Sequence, residues 1–267
     1  IKFNPGTAVV DNVSVKLADA DRSVNNKGLV VNGTITRTAV ATGAELVGYG
    51  GFSATNYLEQ PYNSALDFGT GDFSIMGWVT KAGTGNEFIL DRQDGISTPA
   101  NRLNFFVSAT QVGSRCDNTL TNASFSFTAG QRYFVSAVRQ SGVMYFYVNG
   151  SLVGSATQTG NVTDLSSSYK MTLGASGQSK AEAVQNLALL RISATAPSAA
   201  QIAKIYRDEK VLFQDGAACT LYGTSDAVTA LAHDPVTDLL HVGTSAGRSV
   251  FDGLRRVSNT TVAVGTA

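Results

Sequence analysis

One stretch, residues 67–79, restricts this chain more than any other, because it demands a strand covered on both faces. It reads Asp67-Phe68-Gly69-Thr70-Gly71-Asp72-Phe73-Ser74-Ile75-Met76-Gly77-Trp78-Val79. A turn-forming Gly-Thr-Gly-Asp cluster leads into a period-two segment in which Phe73, Ile75 and Val79 share one face and Met76 and Trp78 the other. Large apolar groups on both faces place such a strand inside a layered β structure. A second stretch, residues 145–153, sets Asn149-Gly150 between β-rich runs. That dipeptide takes positive φ at both central positions of a type I′ turn with little strain, so the segment reads as a hairpin.

The chain has 267 residues, 43% hydrophobic and 15% charged, enough to bury a large core as one main all-β domain. Its 27 glycines and 13 phenylalanines against 5 prolines and 3 methionines favour many strands with tight turns over packed helices. Twenty Lys+Arg balance twenty Asp+Glu, which leaves no basic stripe for nucleic acid and no charged block for a membrane surface. No apolar run reaches the length that spans a bilayer, so a soluble chain without membrane insertion is expected. No signal peptide precedes Ile1, and the start in mid-pattern suits a part of a longer polypeptide. Cys116 and Cys219 lie far apart in sequence without metal-ligand or redox spacing, and separate free thiols are expected.

Residues 1–22 read as the end of a preceding module plus a linker, because residues 11–17 alternate cleanly and residues 18–23 are polar and turn-like. Residues 23–215 read as the sandwich. Its strands are expected at 28–34, 38–42, 46–52, 57–59, 73–79, 87–91, 102–108, 123–127, 131–139, 143–148, 151–156, 169–173 and 188–193, bounded by Gly, Asn, Asp or Ser at the rhythm of antiparallel sandwiches and jelly rolls. The single helix follows, with Ser198 at the N-cap, Gln201 three residues on, and Ile202, Ile205 and Tyr206 as its apolar stripe. Residues 216–267 read as a C-terminal hairpin and oligomerisation segment. Asp234-Pro235-Val236-Thr237 is its type I turn signal, and the segment is too small to form an independent core.

The segments 66–79, 131–139, 144–150 and 189–192, followed by the Pro197-Ser198 helix, resemble the laminin-G-like branch of the concanavalin A-like lectin/glucanase superfamily, in family order over residues 28–210. That resemblance implies two curved antiparallel sheets in a jelly roll, with any ligand at the sheet rim or on the concave face. Residues 13–15, the linker at 19–28, and Cys219–Leu231 through Gly253–Val257 are also similar to segments of bacteriophage tail-fibre and related virion proteins. The implied role is a non-catalytic module of a virion tail, acting outside the cell as a homotrimer beside other virion tail proteins, and attaching to a host cell-surface glycan. A purely structural spacer is the alternative, and a polysaccharide-degrading enzyme a more distant one.

A sugar site at the rim would pair an aromatic platform with planar hydrogen-bonding groups, and Tyr57, Tyr62, Arg92 and Arg102 are the candidates. Phe73, Trp78, Phe134 and Phe146 read as core. The resemblance requires no cofactor but leaves a rim calcium open, for which Asp91, Asp94 and Asn101 could supply oxygens; a plain turn at Asp94-Gly95 is the other reading. The glucanases of the superfamily commonly carry Glu-x-Asp-x-x-Glu on one strand, and this chain has no such motif: Glu59, Glu87, Glu182 and Glu209 stand isolated. His233 and His241 sit symmetrically on the two arms of the C-terminal hairpin. They are expected close across it, as a pH- or metal-responsive pair or as strand residues at a subunit contact.

Overall fold

The structure is a computed structural model that describes residues 28–93, 102–164, 169–224 and 227–263. The expected preceding module at 1–22, and Asp94 and Asn101 of the calcium set, lie outside these residues. In chain order the strands are β1 (Val30–Asn32), β2 (Thr36–Ala39), β3 (Val47–Gly50), β4 (Tyr57–Gln60), β5 (Phe73–Thr80), β6 (Glu87–Arg92), β7 (Leu103–Val107), β8 (Gln111–Cys116) and β9 (Thr119–Ser124). Then come β10 (Arg132–Gln140), β11 (Val143–Val148), β12 (Ser151–Thr157), β13 (Met171–Leu173), β14 (Asn186–Ser193), helix α1 (Ala199–Lys210), β15 (Val228–Asp234), β16 (Leu239–Thr244), β17 (Gly247–Asp252) and β18 (Arg255–Thr260). The described residues group into two compact units, 28–38 with 48–206, and 39–47 with 207–263.

The larger unit is an antiparallel jelly-roll sandwich. Its first sheet has the order β1-β4-β13-β6-β7-β8-β9 and its second β12-β11-β10-β5-β14-β3-β2. The core between them joins Leu90, Leu103 and Phe105 of the first sheet to Phe73, Ile75, Val135 and Phe146 of the second, all fully or almost fully buried. Each such side chain contributes about 1.5–3 kcal/mol by leaving water. Arg139 enters the same core with no exposed surface. Its guanidinium lies 4.7 Å above the Phe73 ring and donates to the carbonyls of Gly69, Gly71 and Gly160. The buried charge is thereby hydrogen-bonded, and the turn leading into β5 is pinned to it.

Every residue of β5 is buried, as its two apolar faces require. On the face away from the core, the Trp78 ring meets Phe134 at 5.5 Å and Tyr206 of α1 at 5.6 Å. The expected capping box starts that helix: the Ser198 amide donates to Gln201 Oε1, and the Gln201 amide to Ser198 Oγ. The Asn149-Gly150 hairpin forms as well, with φ of 51° and 79° at its two central residues.

The first sheet contains one strand that the sequence pattern did not mark, β8, whose Gly113-Ser114-Arg115 centre reads as a loop. Its register explains the choice of residues. The Phe106 ring occupies the space a Cβ at Gly113 would need, Ser114 Oγ donates to the Asn104 carbonyl at 2.7 Å, and Thr121 Oγ1 donates to the Ser114 carbonyl at 3.2 Å. The strand expected at 123–127 lies earlier, at β9. Phe125 and Phe127 instead pack with Tyr133, at ring separations of 4.7 to 5.8 Å.

The smaller unit is a four-stranded antiparallel meander, β15-β16-β17-β18. The β15–β16 hairpin turns as expected, with Asp234 accepting from the Val236 amide and the Thr237 hydroxyl. The histidines do not meet, however. His233 pairs with Leu240 and His241 with Ala232, so the two rings leave opposite faces of the hairpin. His233 Nε2 instead lies 2.9 Å from Asp238 Oδ1. Residues 39–47 supply Glu45, which ties the unit together. Its Oε2 accepts from the Cys219 amide and from the amide and hydroxyl of Thr220, and its Oε1 from Arg256 at 2.9 Å. Both Cys116 and Cys219 are free thiols, and burial pushes the Cys116 thiol up to about 11.

Candidate binding face

Strand register assembles the site. Across the first sheet, Leu58, Leu173, Leu90 and Phe105 form one lateral row that faces the core. One residue along, Glu59, Thr172, Asp91, Asn104 and Arg115 form the next row, on the outer face. Five strands thus align a continuous polar line, of which Glu59, Thr172, Asp91 and Asn104 are buried and Arg115 is partly exposed. Beside it Phe88 and Phe106 pack together with centroids 5.7 Å apart.

The charges on this face are organised. Arg102 clamps Asp91, with Nε and Nη2 each 3.2 Å from a carboxylate oxygen, and its guanidinium lies 5.9 Å from the Phe88 centroid. Asp91 also accepts from the Gln93 side chain at 2.9 Å and the Gly177 amide at 2.8 Å. Burial pushes the Asp91 carboxyl up, while Arg102 and the Gly177 N–H hold it back. Lys170 reaches Glu59 at 2.9 Å. Lys180, at φ +58° in a loop whose main chain bonds to this sheet, donates to Thr172 Oγ1 at 2.7 Å and the Gly177 carbonyl at 2.6 Å. Its ammonium also stands 4.8 Å from the centroid of the half-buried Tyr57 ring.

Of the expected sugar-binding residues, Tyr57 and Arg102 meet on this face, together with Asp91 of the calcium set. Tyr62 and Arg92 fall elsewhere. Arg92 continues the core-facing register between Met171 and Leu103, is 2% exposed, and donates to Asp67, Leu66 and Val162. Tyr62 donates to the same Asp67 at 2.9 Å. Among the described residues no three His, Cys, Asp or Glu side chains cluster as a metal site. Lys170, Lys180, Glu59 and Thr172 belong to the face without any signal in the sequence, since only strand pairing brings them together.

Two seven-stranded antiparallel sheets packed face to face define a jelly-roll sandwich. The family model described as the Concanavalin A-like lectin/glucanases superfamily, a Laminin_G_3 model, matches residues 52–203, and the chain belongs to that superfamily. No curated protein sequence matches the chain. Solved structures share the fold. Domain 4 of AbnA, a GH43 extracellular arabinanase from Geobacillus stearothermophilus in complex with arabinotriose, is 15% identical with a TM-score of 0.54, over 69% of this chain and 91% of that one. The binding domain of Paraclostridial Mosquitocidal Protein 1 is 11% identical with a TM-score of 0.57, over 90% and 64%. The binding domain of Botulinum Neurotoxin DC in complex with SialylT is 14% identical with a TM-score of 0.54, over 90% and 60%. The chain therefore spans less than two thirds of each toxin binding domain.

Proposed function

We propose that the larger unit is a non-catalytic, lectin-like module that binds carbohydrate on the outer face of its first sheet, around Tyr57, Lys180 and Arg102. The observation that carries this reading is the half-buried Tyr57 ring with the Lys180 ammonium 4.8 Å from its centroid, backed by the polar row Glu59-Thr172-Asp91-Asn104-Arg115, all of it buried except Arg115. Few, fixed polar groups next to an aromatic are how polar ligands are oriented. The fold carries saccharide in similar proteins, with arabinotriose in the arabinanase domain. Both carboxylates of the face sit in ion pairs, Glu59 with Lys170 and Asp91 with Arg102. A glycosidase instead needs one carboxyl as acid and its partner as nucleophile or base. Binding here needs no cofactor, because the Asp91 oxygens already accept N–H donors.

The finer reading is attachment of a virion tail to a host cell-surface glycan, with the four-stranded sheet joining three copies beside other tail proteins. It rests on the resemblance of 13–15, 19–28 and 219–257 to tail-fibre segments, and on the exposed Leu231 and Val257 of the outer strands β15 and β18. Weak sites on three copies would then gain from effective concentration. A glycan array probed with the whole chain tests the module: binding that Tyr57→Ala abolishes supports it, and a blank array leaves the spacer reading. Light scattering tests the assembly, three copies per particle being the supporting mass.

A further inference from the structure

The charges on the binding face do not balance. Lys170 answers Glu59 and Arg102 answers Asp91, but the third cation, Lys180, has among the described residues only neutral acceptors, Thr172 Oγ1 and the Gly177 carbonyl, and the face of Tyr57. Even with Arg115 at the far end of the row left aside, Lys170, Arg102 and Lys180 against Glu59 and Asp91 leave the described face one negative charge short. Lys180 is also half-buried, and burial pushes its ammonium pKa down despite the attraction of Glu59 and Asp91, with Lys170 adding repulsion. A partly desolvated cation without an ion-pair partner of its own among the described residues is costly, and an anion placed on it recovers that cost. A left-handed backbone at Lys180 holds it there, at a conformation that non-glycine residues adopt only when the surroundings enforce it.

We infer that the preferred ligand is an acidic saccharide, a sugar unit bearing one carboxylate that pairs with the Lys180 ammonium beside the Tyr57 ring. This rests on the carbohydrate-binding reading above and sharpens it. The carboxylate would complete the charge count, because Lys170 and Arg102 are already paired with Glu59 and Asp91. Two sources carry this chemistry, a hexuronate chain and a terminal sialate.

The test uses matched pairs with the whole chain in calorimetric titration: oligogalacturonate against its methyl ester, and sialyllactose against lactose. The acidic member of at least one pair should bind roughly tenfold more tightly or better, as one charge-assisted contact provides. The pair that responds names the source. Added salt should weaken that preference. Lys180→Met should remove the preference while weak binding of the neutral member persists; Lys180→Arg should keep part of it. A melting temperature of Lys180→Met close to that of the unaltered chain checks that the substitution does not unfold the face. Equal binding of acidic and neutral members by the unaltered chain overturns the inference and leaves the lectin reading standing. Binding of neither, in either pair and on the array, overturns both.

Discussion

Tyr206 of α1 lays its ring against Trp78 of β5, with centroids 5.6 Å apart and 26° between the planes. The only tryptophan of the chain is thus closed off by a helix on the face opposite the sandwich core. Tyr206→Ala is expected to lower stability by about 2 kcal/mol and to red-shift tryptophan emission as water reaches the indole. A double-mutant cycle with Trp78→Phe should return about 1 kcal/mol of coupling. Emission that stays put would mean the helix does not cover Trp78.

The helix comes that close because residue 150 has no side chain. A Cβ on Gly150 would lie 3.1 Å from Tyr206 Cβ and 3.2 Å from Ala203 Cα, at φ +79°. Gly130 has nearly the same φ, +77°, with nothing within 4 Å. Gly130→Ala should therefore cost only the left-handed strain, about 1 kcal/mol, and Gly150→Ala that plus the displaced helix. Equal melting temperatures for the two variants would refute the close approach.

Arg102 and Asp91 form a clamp with one partner fully buried and the other mostly so. Removing one side strands the other charge, which is the costly way to break such a pair. Arg102→Ala is expected to destabilise by about 3 kcal/mol, and Asp91→Asn placed on top of it should recover part of the loss by removing the stranded charge. A chemical-denaturation series on the three variants reads this directly. Additive losses would show the two residues to be uncoupled.

The fold was legible because its signals are local. The two apolar faces of 73–79, the Asn149-Gly150 turn, the Ser198/Gln201 capping box and the Asp234 turn each depend on neighbours within a few positions. Strand β8 was not legible, because Gly113 and Ser114 are dictated by Phe106 and Asn104 on the next strand, and a polar, glycine-containing run reads locally as a loop. The same limit applied to the site. Tyr57, Asp91 and Arg102 could be picked by residue type, but alternation along β6 sends Asp91 outward and Arg92 inward. Nothing in the sequence announces that Lys180 reaches across to Thr172 and Tyr57. The histidine pair failed for a related reason: symmetry about a turn does not place two residues on one face unless the register does, and here it is offset by one.

Glu45 makes the smaller unit acid-sensitive. Burial raises its pKa, but the Thr220 hydroxyl, the Cys219 and Thr220 amides and the Arg256 guanidinium outweigh that and hold the carboxyl below its ordinary value. A carboxyl with a depressed folded pKa contributes stability that is complete above its unfolded value, about 4.3 for glutamate, and that is lost as pH falls through the folded value. The four-stranded sheet should accordingly lose hydrogen-exchange protection as pH is lowered from about 5 to 3. Glu45→Gln removes the charge at every pH and leaves Oε1 as a weaker acceptor, so at pH 7 it should cost about 1–2 kcal/mol. In that variant the slope with pH over the same window should be shallower. Arg256→Met should reproduce the flattening in part, because Arg256 also donates to the Thr220 carbonyl at 2.8 Å and packs over the Tyr222 ring. An unchanged pH slope in Glu45→Gln would show that another carboxylate governs the acid response of this sheet.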